Sequence, residues 1–188
     1  MSKVGEKGNK WQMNNQRIYI IEILKQSNRA IECYQRLCYS LEHHLNEELF
    51  CEIEHFIQHA ASISLLLWPS PSNKSKNKQQ TKARGIYLRK LLEIKDNPLK
   101  DRKLRDHLVH IDERLDDWAC ESTHHNFIDQ NIGNINQMIS GIANTDCIRN
   151  FDPKTFEFNF LAEKFNLNEI YSSIIKLKDS LQNKALVL

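Results

Sequence analysis

The stretch Arg105-Asp106-His107-Leu108-Val109-His110 puts a guanidinium and two imidazoles close together in the chain. A guanidinium holds a phosphate through a two-pronged hydrogen bond, and an imidazole moves protons near neutral pH. Those two groups suffice to cleave a phosphodiester through a neighbouring 2′-hydroxyl, with no metal ion. At ~100° per helical residue, Arg102, Arg105, Asp106, His110, Glu113 and Asp117 share one side of a helix, roughly 100° to 240° away from Leu104. A solvated helix face has the same pattern, because Arg102/Asp106 and Asp106/His110 are i,i+4 pairs worth only ~0.2 to 0.5 kcal/mol each. The opposite stripe, Leu104, Leu108, Ile111, Leu115 and Trp118, steps by four and three and is expected to face the core.

Other groupings carry less. Glu52-x-x-His55 has the i,i+3 spacing of carboxylate-bridged metal bundles. His55/His59 and His107/His110 each allow a two-point grip on a metal from one helix, with surface or partly buried histidines as the alternative. Neither a metal nor a cofactor is assigned. Adjacent histidines, His43-His44 and His124-His125, point to different sides of a helix and belong at helix ends or in loops. The basic run from Lys74 to Lys90 includes Lys82, Arg84 and Arg89; it offers attraction for a nucleic-acid backbone, with Tyr87 available for stacking, or it is a solvated charged loop. Signatures of P-loop, dinucleotide-binding, α/β-hydrolase and zincin chemistry are missing from the sequence.

The elements that must position these groups are helical. Apolar residues recur at three- and four-residue steps from about Asn15 to His44, through Ile18, Ile21, Leu24, Ile31, Tyr34, Cys38 and Leu41. A second helix starts at Asn46, with Glu47 and Glu48 favourable in its first turn, and stops at Pro69. Its end, Ala60 to Trp68, is apolar nearly all round and is expected at a buried centre. Residues 69–80 read as a solvated loop and 81–94 as a third helix carrying Ile86, Leu88, Leu91 and Leu92. Asp96-Asn97-Pro98 breaks it before a fourth helix starts near Leu99 and bears the motif. Residues 127–142 are expected to be helical. Phe156, Phe158 and Phe160 then alternate with polar residues, so 147–160 reads as a β-hairpin around Asp152-Pro153. A final helix, 166–182, is capped by Asn166 or Asn168. The expected fold is mainly α, a bundle of four to six helices with a small β-hairpin near the C-terminus. Residues 1–14 read as a mobile tail and 15–188 as one helical domain.

Arg105, a polar residue, a short spacer and His110, set on a late helix in the segment LRDHLVHIDERLDDW, resemble the motif helix of the HEPN superfamily. In architecture the resemblance covers roughly residues 15–118. It implies a metal-independent endoribonuclease, commonly homodimeric, of toxin-antitoxin or phage-defence systems, in which the motifs of two protomers meet in one cleft. Carried onto this chain, it implies that Arg105 orients the phosphate and His110 is the general base or acid. Asp106 takes the polar position, and Arg102, His107 and Glu113 support. The implied partners are RNA, a second copy, and an antitoxin or regulatory protein. A HEPN-like module that binds nucleic acid, nucleotide or a partner without catalysis, and a metal-binding bundle, are the other readings.

Composition agrees with an ordinary globular chain. The 188 residues carry a formal charge of +2, too close to neutral for nucleic-acid binding by the whole surface. Five cysteines without a C-x-x-C pair indicate neither a disulfide framework nor a thiolate zinc site, and are expected as buried thiols of a reducing compartment. No apolar run approaches a membrane span or a signal sequence, so the expected location is cytoplasmic with no membrane partner.

Overall fold

The computed structural model describes residues 4–106, 111–122, 125, 127–138, 146–161 and 163–185, with side chains along the first helix described from Gln16 onward. Helix α1 spans Val4–Glu42 and α2 spans Asn46–Leu67. Between them His44 adopts a left-handed conformation (φ 57°) that reverses the chain. The two helices pack antiparallel, as the cross-contacts Gln26 to His59 and Arg36 to Glu52 require. Expected to start near Asn15, α1 instead starts at Val4. An established helix propagates one hydrogen bond per residue without a second nucleus, so polar residues extend it at little cost.

The seam between α1 and α2 is the centre of the core. Ile23, Ala30 and Leu37 of α1 meet Phe50, Ile53, Phe56, Ile57 and Ile63 of α2, all fully buried. Burying each of the larger side chains is worth about 1.5–3 kcal/mol. The polar turn within α1 is accommodated because the buried Ser27 hydroxyl donates to the Ile23 carbonyl at 2.8 Å. Ile18 and Ile21, expected in the packed stripe, are exposed; Ile20 and Ile23 take the core positions instead. Leu65, within the apolar end of α2, is exposed as well.

Helix α3, Lys78–Leu91, crosses the end of α2. Gly85 makes that approach possible, since a Cβ there would lie 2.4 Å from Pro69 Cδ and 2.9 Å from the Leu67 carbonyl oxygen. Leu88 and Leu92 are buried beneath, whereas Ile86 is 59 % exposed. Glu93 closes the helix in the left-handed region (φ 55°), with Ile94 N–H donating to the Arg89 carbonyl at 2.9 Å.

A 3-10 turn, Pro98–Lys100, leads to α4, Arg102–Asp106, and then α5, Ile111–Glu121. Asn97 caps the turn by accepting from Leu99 N–H, and Asp101 caps α4 by accepting from Lys103 N–H, both at 2.9 Å. Among the described residues four strands follow: β1 Asn131–Ile132, β2 Arg149–Asp152, β3 Glu157–Phe160 and β4 Glu163–Asn166. They form one sheet in the order β1-β2-β3-β4. The expected hairpin is its β2–β3 centre, with Phe151 opposite Phe158, and β4 adds an antiparallel edge. The helix expected over 127–142 is replaced, as far as Met138, by β1, paired parallel to β2, and the short α6, Ile135–Met138. Gly133 at φ 118° separates them, a conformation no helix interior takes.

Helix α7, Leu167–Ala185, lays Ile170, Ile174, Leu177 and Leu181 onto the core. Its cap is Asn166, which accepts from Glu169 N–H at 3.0 Å. The protein is mainly helical with a small sheet near the C-terminus. Among the described residues no helix is long and apolar enough to cross a membrane.

Candidate functional site

Leu104 fixes how α4 sits. Its side chain is 1 % exposed, and the short helix packs against α2 through it. With Leu104 inward, Arg102 and Asp106 face solvent, one turn apart. Arg102 Nε donates to Asp106 Oδ2 at 3.1 Å, with the arginine largely exposed and the aspartate less so. The carboxylate that follows Arg105 in the chain therefore has a cation on it. Of Arg105 only the backbone in α4 is described; His107, Leu108, Val109 and His110 lie outside the described residues.

Beyond that segment, α5 rests on the sheet side of the molecule. Arg114 pairs with Glu163 of β4 at 3.1 Å and lies over the Phe160 ring. Trp118 meets Phe127 edge to face at 5.7 Å. Leu115 and Trp118 are half-buried against the core as expected, but Ile111 is 39 % exposed, so the stripe facing the core does not include it. Glu113 and Asp117 are exposed on α5, with Asp112, Asp116 and Glu121. This helix shows solvent an acidic face.

The basic run divides into two roles. The Arg89 guanidinium donates to the Leu67 carbonyl and sits over the Trp68 ring. Arg84 reaches the Leu65 carbonyl at 3.5 Å and covers the Tyr19 ring at 4.6 Å. Both arginines thus bind the carbonyls that α2 leaves without intrahelical partners, at the negative end of its dipole. Lys82 is exposed on the other side of α3, with Ile86, Tyr87 and Lys90.

One arrangement was not legible in the sequence. Gln26 Nε2 donates to Glu22 Oε1 at 2.6 Å, which turns Gln26 Oε1 toward His59 Nδ1, 2.7 Å away. An amide oxygen only accepts, so Nδ1 carries the proton, and a neutral His59 presents a bare lone pair at Nε2. Burial lowers the His59 pKa below its ordinary 6.5, helped by the charges of Arg29, His55 and Arg36 and opposed by Glu32. Farther along the same seam, Arg36 Nε donates to Glu52 Oε1 at 2.7 Å. Glu52 is thereby bound to an arginine, and His55 lies beside Cys51, its Nδ1 3.7 Å from the Cys51 sulfur. Among the described residues no three His, Cys, Asp or Glu side chains converge as a metal site requires. Of the cysteines, Cys33 and Cys147 are buried as expected, and burial pushes both thiols up to about 11, while Cys51 and Cys120 are exposed.

A second charged cluster is a structural clamp. Arg149 Nε donates to Asp129 Oδ1 at 2.7 Å, and the same guanidinium reaches Glu54 of α2. Hydrogen bonds to Asp129 and then to Glu54 raise its pKa and tie the sheet to α2. Comparison of the chain with protein-family models, with curated proteins and with solved structures finds no match.

Proposed function

We propose that the protein is a HEPN-type, metal-independent endoribonuclease that acts as a homodimer. In this reading Arg105 binds the scissile phosphate and His110 takes the 2′-hydroxyl proton or delivers one to the leaving oxygen. The observation that carries it is the Arg102–Asp106 pair. Unpaired, the carboxylate beside Arg105 would repel a phosphodiester; with Arg102 on it, that repulsion is largely cancelled. Leu104 supports the reading by fixing α4 with its polar side outward, where a partner's motif and an RNA strand can reach it. Glu113 and His107 act around the reacting groups, and an antitoxin or other regulatory protein would cover the same face. A cytoplasmic toxin or defence effector is the setting this chemistry fits.

The test is cleavage of single-stranded RNA in EDTA by the purified chain, with Arg105→Ala and His110→Ala alongside. The reading predicts fragments from the wild type, none from either variant, and unchanged circular dichroism in all three. RNA that is bound but stays intact would replace it with the non-catalytic HEPN-like module.

A further inference from the structure

Seven cations, Lys74, Lys76, Lys78, Lys82, Arg84, Arg89 and Lys90, fall in a stretch with no aspartate or glutamate before Glu93. The fold sorts them. The guanidiniums of Arg84 and Arg89 are turned inward onto the end of α2. Lys82 and Lys90 are exposed on the outward side of α3, and Lys74 and Lys76 are exposed in the loop that leads into it. Set among these lysines are two exposed apolar side chains, Ile86 at 59 % and Tyr87 at 39 %. On a helical wheel Lys82, Ile86, Lys90 and Tyr87 span about 140°, a single face.

Multiple cations without an interspersed acid attract a polyanion, and an exposed phenol ring among them provides a surface on which a base can stack. Stacking needs a base free of its pair, which selects a single strand. An anionic membrane fits less well. The apolar side of α3, Leu88 and Leu92, is already buried in the core, so only Ile86 and Tyr87 remain to enter a bilayer. We propose that the outward face of α3, Lys82, Ile86, Tyr87 and Lys90 with Lys74 and Lys76, is a binding surface for single-stranded RNA, separate from the motif on α4. The proposal deepens the ribonuclease reading and rests on it for the identity of the nucleic acid. It moves the contact from the arginines to the lysines and Tyr87.

The experiment is fluorescence anisotropy with a labelled single-stranded RNA of about 20 nucleotides, long enough for such a site. It uses the full chain carrying His110→Ala, so that the probe stays whole, in EDTA and over a range of salt. Lys82→Glu with Lys90→Glu should weaken binding at least tenfold and make the slope of log affinity against log salt shallower by about 1.4, two phosphate contacts at ~0.7 each. Tyr87→Ala should cost about fivefold or more and leave that slope unchanged. Binding within twofold of the parent for the double lysine variant would overturn the proposal. So would equal competition by duplex RNA or by phosphatidylserine vesicles. The two readings fail separately: RNA held through α3 but never cut by the wild type sinks the ribonuclease and leaves this surface, whereas RNA cut with α3 variants binding normally sinks this surface alone.

Discussion

Arg102 Nε lies 3.1 Å from Asp106 Oδ2 on the solvent side of α4, so the acid next to Arg105 is held by the cation four residues before it. An exposed i,i+4 pair contributes under about 0.5 kcal/mol to folding. Any larger consequence of breaking it must therefore appear in function. Arg102→Ala should lower RNA cleavage about tenfold, as an uncompensated carboxylate near a phosphate would. It should leave the unfolding midpoint nearly where it was. Adding Asp106→Asn to Arg102→Ala should restore cleavage to within about threefold of the wild type, because the repelling charge is gone. A double variant as impaired as the single one would show that Arg102 acts directly on RNA.

Leu104 anchors α4, and its removal should be felt throughout the fold. Leu104→Ala leaves a cavity at a site that is 1 % exposed, and the expected loss is about 2–5 kcal/mol, read as a lowered urea midpoint. A loss below about 1 kcal/mol would mean that α4 is not held by this contact.

The α2–α3 crossing makes a second stability prediction. Gly85→Ala would push a methyl group against Pro69 and the Leu67 carbonyl, costing about 1–3 kcal/mol. Arg89→Ala should cost a similar amount by leaving the Leu67 carbonyl without its donor, while Lys82→Ala should cost almost nothing. Thermal melts of the three variants check the order.

How far these features could be read from sequence depends on how local their causes are. The bounds of α2 follow from its own apolar spacing and from Pro69, and the Asn166 cap of α7 follows from its own side chain. The Arg102–Asp106 pair was legible for the same reason, since both partners share one helix face. Strands β1 and β4 were not. Two residues at Asn131 and Ile132 become a strand only because Asn150 and Phe151 lie beside them. Arg84 and Arg89 look like a basic patch until the end of α2 is placed under them. Ile18, Ile21 and Ile86 fit an apolar period but fall at its edges, and the packing against α2 selects their neighbours instead. The His59–Gln26 contact joins residues 33 positions apart, on two helices whose register no local pattern gives.

His59 should make stability depend on pH in one direction. Its pKa in the folded protein is below 6.5 because burial disfavours the charged ring. The unfolded chain therefore takes up the proton first as pH falls. The stability due to neutral His59 is complete above the ordinary imidazole pKa and is lost as pH drops from there toward the folded value. Urea midpoints at pH 7.5 and pH 5.5 should differ more for the wild type than for His59→Gln. In nitrogen-15 spectra at pH 7.5 the His59 ring should be protonated at Nδ1. Gln26→Leu should remove that preference, and a ring protonated at Nε2 in the wild type would contradict the hydrogen bond from His59 Nδ1 to Gln26.

If Arg105 and His110 are the proposed reacting groups, RNA is cut without a metal and His110 is required. The most direct measurement is the rate of cleavage of a single-stranded RNA by the full chain in EDTA, set against that of His110→Ala at equal helix content. Cleavage should proceed without metal and fall by at least ~10²-fold in the variant, the contribution typical of a positioned acid or base. Cleavage that persists undiminished in the variant, or RNA left whole by a wild type verified as a dimer, would contradict those roles.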